Sequence, residues 1–113
     1  MFEPFEQGTK TSYVPASVPL QSGGWTFGEA LLGTTAGADK FNGTKSARLR
    51  GSGFIEMDTD KPNGAGTVTM SAAGYATETG ASFVPEISTD GGLTYFSLLG
   101  SSPPPTLSGT LTT

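Results

Sequence analysis

Gly24-Trp25-Thr26-Phe27-Gly28-Glu29-Ala30 decides the fold class. Trp25 and Phe27 occupy alternate positions with Glu29 in the same phase, and successive side chains of an extended strand point to opposite faces. A helix would need apolar residues at a 3.6-residue period, which no longer window of the chain sustains, and Gly or Pro interrupts each helical stretch. The alternation continues outward. Ala47 and Leu49 oppose Arg48 and Arg50, Phe54 and Glu56 oppose Ile55 and Met57, and Val68 and Met70 alternate with Thr67 and Thr69. Runs at 83–88, 95–99 and 107–113, rich in aromatic and β-branched residues, bring the expectation to about eight strands.

Between the runs stand Gly23-Gly24, Asn42-Gly43, Gly51-Ser52-Gly53, Pro62-Asn63-Gly64 and Asp90-Gly91-Gly92, residue types that accept positive φ or close a turn with a side chain. Residues 7–22 and 31–45 read as long polar connections outside the core, and Pro103-Pro104-Pro105 as a stiff extended break. The expectation is one all-β domain over residues 1–113, an antiparallel β-sandwich. Its core is Phe27, Leu49, Ile55, Val68, Met70, Phe83, Ile87, Phe96 and Leu98.

Composition removes whole chemistries. The 113 residues include no cysteine and no histidine, which excludes disulfides, thiol and imidazole nucleophiles, zinc fingers and haem ligation. Carboxylates, hydroxyls and carbonyls remain, the donors that suit hard cations such as calcium. Leu, Ile, Val and Phe total 22 of 113, a lean core near the one-fifth mark that separates folded from disordered chains of high charge. With 14% charged residues and 17 Gly, 17 Thr, 12 Ser and 8 Pro, a folded β-protein is the better reading.

The net charge of −4, with all six basic residues before position 62, argues against nucleic acid as a partner. No apolar run is long enough to span a membrane. Met1-Phe2-Glu3-Pro4 lacks the basic and apolar regions of a signal peptide, so the chain reads as a mature or excised domain behind a start methionine.

The most specific local pattern is Ser88-Thr89-Asp90-Gly91-Gly92-Leu93-Thr94-Tyr95, which resembles an Asp-box, Ser-x-Asp-x-Gly-x-Thr-aromatic, with Tyr95 where Trp is commoner. Such a segment is a turn: Asp and Ser oxygens accept backbone N–H groups, the glycines take left-handed positions, and the aromatic returns to the core. Asp-boxes recur in sialidase propellers, whereas this chain has one copy, so the hairpin reading takes precedence. A wider resemblance runs along most of the chain. It is carried by Phe5-Glu6, Ser22-Gly23-Gly24-Trp25, the run from Asn42 to Arg50 followed by Gly53-Phe54-Ile55, Gly64-Ala65-Gly66-Thr67-Val68, and Ser88-Thr89-Asp90-Gly91-Gly92. Together these resemble the jelly-roll-like β-sandwich modules of secreted and cell-surface proteins of Bacteroidetes-type bacteria, related in look to carbohydrate-binding and adhesin modules.

That resemblance implies an exported, non-catalytic binding or adhesion module, with carbohydrate as the partner. It also implies a structural calcium ligand at Glu6, to which Asp58 and Asp60 would add hard oxygens, against the simpler reading of an exposed acidic turn. Family members close with further strands bearing an acidic pair, whereas this chain stops at Leu111-Thr112-Thr113 and leaves closure of the sandwich open. Tyr13 and Tyr75, beside loops, are candidate surfaces for stacking a sugar ring, and Arg48 and Arg50 candidate clamps for its polar groups. Trp25 reads better as a core anchor. Glu56, Asp58, Glu78 and Glu86 show no pairing that would build a glycosidase. A second function class is a structural subunit in which residues 106–113 leave their own domain as an exchanged strand, Leu107 and Leu111 filling an acceptor groove. The simpler alternative is a C-terminal strand packed at home.

Overall fold

The structure, a computed structural model, describes residues 1–113 and contains no helix. It divides into two compact units, residues 1–69 and 70–113. The first holds one antiparallel sheet in the order β1 (Ala16–Leu20), β2 (Gly23–Gly33) and β3 (Ser46–Met57). The second holds the short antiparallel pair β4 (Glu86–Ile87) and β5 (Phe96–Ser97).

In the first unit β1 and β2 form a hairpin with Leu20 opposite Gly23, so the turn is Gln21-Ser22 and the glycines at 23 and 24 already belong to a strand. Glu3 clasps this turn, accepting from the Ser22 N–H at 2.7 Å and its hydroxyl at 2.6 Å. The Ser22 hydroxyl in turn accepts the Trp25 indole N–H at 2.8 Å, and Phe5 packs edge-on against the Trp25 ring at 5.8 Å. Trp25 is therefore a half-buried wall of the core, with its polar edge satisfied as such rings require.

The core consists of Val18, Leu20, Phe27, Ala30 and Leu32, with Phe5, Trp25, Ala47 and Ile55 packed against it. Two expectations change here. Residues 7–22 and 31–45, read as polar connections, supply Val18, Leu20, Leu31 and Leu32 to the buried set. Of the anticipated core, Phe27 and Ile55 hold that place and Phe83 and Ile87 are half-buried, whereas Leu49, Val68, Met70, Phe96 and Leu98 are exposed.

Within β2 the choice of buried residues follows from a break of register. Phe27 pairs Ile55 and Gly28 pairs Phe54, but the next partners are Ala30 and Leu49, so Arg50-Gly51-Ser52-Gly53 bulges opposite Glu29 alone. Glu29 adopts φ 53° and Gly51 φ 56° to allow it. A Cβ on Gly53 would lie 2.5 Å from the Glu29 carbonyl oxygen, a backbone atom that cannot yield, so glycine is required there. The bulge turns Glu29 outward and hands its inward phase to Ala30, after which Leu32 continues the apolar face. Gly51-Ser52-Gly53, expected as a turn between two strands, is thus an interruption within one strand.

In the second unit Ser88-Thr89-Asp90-Gly91-Gly92-Leu93-Thr94-Tyr95 links β4 to β5 as a hairpin loop. Asp90 accepts from the N–H groups of Leu93 (3.1 Å) and Thr94 (2.9 Å), and from the Thr94 and Ser88 hydroxyls. The Ser88 oxygen accepts Gly92 N–H at 2.8 Å, with Gly91 and Gly92 at φ 72° and 90°. Tyr95, expected in the core, is exposed. The Thr94 hydroxyl, then the Thr94 N–H and the Ser88 hydroxyl, favour the Asp90 carboxylate and hold its pKa down at about 2. A depressed carboxylate stabilises the fold above the unfolded value of 3.8 and loses that contribution as pH falls toward 2. A carboxyl-carbon NMR titration should therefore place the Asp90 midpoint well below those of ordinary aspartates, and Thr94→Val should raise it. An unshifted midpoint would show that the loop does not close as described.

The 67–70 run is not in a strand. The segment 106–113 pairs inside its own unit through isolated bridges from Thr106 to Ser82 and Thr112 to Ala72. Leu107 N–H donates to Ala81 C=O at 2.7 Å, Gly74 N–H to Ser108 C=O at 2.7 Å, and Ala72 and Thr112 exchange bonds of 2.8 and 3.0 Å. Within this chain the C-terminal segment lines a cavity of about 280 Å³ with Met70 and Phe83.

Candidate functional site

Three of the four residues expected to meet a ligand converge on the first unit. The Arg50 guanidinium carbon sits 3.8 Å from the centroid of the Tyr13 ring, a cation–π stack. Its Nε donates to Glu29 Oε2 at 2.8 Å, the carboxylate that the bulge turned outward. Arg48, one residue before Leu49 and on the opposite face, reaches the Tyr13 hydroxyl with Nη1 at 3.5 Å. Tyr13 is half-buried, whereas the Arg50 and Glu29 side chains are 57% and 53% exposed.

Arg48 is anchored from behind. Its Nε and Nη2 make a fork of 2.8 and 2.7 Å to the two oxygens of Asp39, whose side chain is only 1% exposed. Asp39 also accepts the Thr35 N–H at 3.0 Å and fills the space over Gly33, where a Cβ would run into its carboxylate. The Arg48 fork, against the cost of burial, holds the Asp39 pKa below the usual aspartate range and raises that of Arg48. Arg48, expected as a solvated or ligand-clamping residue, is tied to Asp39 by this fork and reaches Tyr13 with Nη1, a structural strut behind the ring.

Lys10 is buried beneath the same region at 7% exposure, its ammonium donating to the carbonyl oxygens of Ser12 at 2.5 Å and Ala30 at 2.7 Å. Burial pushes the Lys10 pKa down, partly offset by Glu29. By bonding Ser12 it ties the segment that carries Tyr13 to β2. Sequence reading missed Lys10, Asp39 and Glu29. The paired glycines at 51 and 53 were a signal for a bulge, and hence for Glu29, while nothing local pointed to the other two.

Tyr75 belongs to the second unit, where its carbonyl accepts the Glu78 N–H at 2.9 Å and Ala76 takes φ 51°. The three expected calcium ligands do not gather: no group of three acidic side chains could hold a metal. Glu6 accepts the Thr44 hydroxyl at 2.6 Å, Lys45 N–H at 3.0 Å and Thr44 N–H at 2.9 Å, and these bonds lower its pKa. Asp58 accepts the hydroxyls of Ser17 and Thr26, joining β1, β2 and the end of β3, which lowers its pKa likewise. Asp60 is exposed beyond β3. The carboxylates at 6 and 58 accept hydrogen bonds from distant parts of the chain and act as clamps of loop and sheet.

Compared with family models, curated proteins and solved structures, the chain matches none. No helix is long and apolar enough to cross a membrane.

Proposed function

We propose that the chain is a non-catalytic binding module of an exported protein, secreted or at the cell surface, that recognises carbohydrate through the face built on Tyr13, Arg50 and Glu29. The observation that carries this reading is the stacking of an exposed arginine on a tyrosine, held by a bulge carboxylate and a half-buried arginine strut. Sugar hydroxyls bind in pairs to planar donor and acceptor groups, and a guanidinium beside a carboxylate offers both next to an aromatic surface. Held groups lose little rotamer freedom on binding, which favours affinity. The antiparallel three-stranded sheet with its apolar cluster supports the jelly-roll-like sandwich that the resemblance implies.

A glycan array probed with the native chain should give discrete hits that Tyr13→Ala reduces by about tenfold or more, the size of losing one aromatic anchor. An array with no hits for the native, folded chain would overturn the reading.

A further inference from the structure

We infer that the proposed carbohydrate site reads an acidic glycan, docking a uronic-acid carboxylate on the free edge of Arg50. This rests on the binding-module reading and deepens it. Arg50 spends only Nε on the protein, in the bond to Glu29; its two terminal nitrogens have no protein acceptor, and the side chain is 57% exposed. Tyr13 covers the guanidinium from one side at 3.8 Å, and its outward edge offers two neighbouring donors. A carboxylate offers two oxygens in one plane and matches such a fork, whereas a hydroxyl uses only part of it.

The experiment titrates the full chain with oligogalacturonate, with the same oligomer fully methyl-esterified, and with dextran sulfate as a sulfated control. The acid form should bind at least about tenfold tighter than the ester at low salt, the worth of a charge-assisted fork, and lose part of that margin at high salt. Arg50→Gln should bring acid and ester to parity, and Arg50→Lys, which keeps the charge without the fork, should lose most of the preference. Equal affinity of acid and ester in the native chain would overturn the inference and leave carbohydrate binding standing. Dextran sulfate bound as tightly as the uronate, or full preference retained by Arg50→Lys, would reduce the site to unspecific charge and overturn it. Binding of none of the three by the folded chain would overturn this inference, and with an array free of hits the binding-module reading itself.

Discussion

Phe27→Ala is expected to unfold the first unit or leave it barely folded. Phe27 is the largest side chain with no exposure at all, and it sits where β1, β2 and β3 meet, with Ala16 on one side and Ile55 on the other. Truncating a buried phenylalanine costs about 3–5 kcal/mol, through lost transfer energy and the void left behind. Small domains hold only about 5 kcal/mol in all, and this unit has just six buried hydrophobic residues to share the loss. Urea unfolding followed by Trp25 fluorescence reads the effect directly, because Trp25 packs against that core. Phe27→Leu, which keeps most of the volume, should cost about 1–1.5 kcal/mol. An alanine variant within about 1 kcal/mol of the parent would mean that the core lies elsewhere.

The second large effect concerns Arg48 and Asp39. Arg48→Met removes the fork and strands a carboxylate that is 1% exposed, while Arg48 itself keeps 19% exposure. Breaking a buried pair in this way costs about 3 kcal/mol, the lower end of its range because one partner is partly solvated. The pH dependence then changes sign. In the parent, Asp39 is held low by Arg48, so its contribution is present above the ordinary aspartate value of 3.8 and is lost as pH falls. Without Arg48, burial raises that pKa, so acidification toward about pH 5 relieves the stranded charge and recovers part of the lost stability. Urea midpoints of the parent and Arg48→Met at pH 7 and pH 5 test both claims. Asp39→Asn in the Arg48→Met background should recover part of the loss at pH 7, since the amide needs no counter-charge. A variant as stable as the parent, with an unchanged pH response, would show that the pair carries no structural burden.

What the residues determined by themselves is local. Alternation in Trp25-Thr26-Phe27 and Phe54-Ile55-Glu56-Met57, with no sustained helical period, is enough for an all-β chain, because the period of two comes from strand geometry alone. The turns at Asn63-Gly64, with φ 64° and 66°, and at Asp90-Gly91-Gly92 close through partners within four residues, so they too were legible. The convergence of Tyr13, Arg48 and Arg50 was half legible: the residue types stood out as ligand contacts, but not the roles that the structure assigns them.

Tertiary structure decided the rest, because burial and pairing depend on partners far along the chain. Four residues of β3 bulge against Glu29, and that mismatch of register chooses Ala30 and Leu32 for the core in place of Glu29. Glu6 finds its partners 38 and 39 residues away, and Asp58 reaches Ser17 across 41. Such contacts leave no trace in composition or periodicity. A carboxylate reads as a metal ligand, a clamp or a solvated charge until the fold places backbone N–H groups and hydroxyls around it.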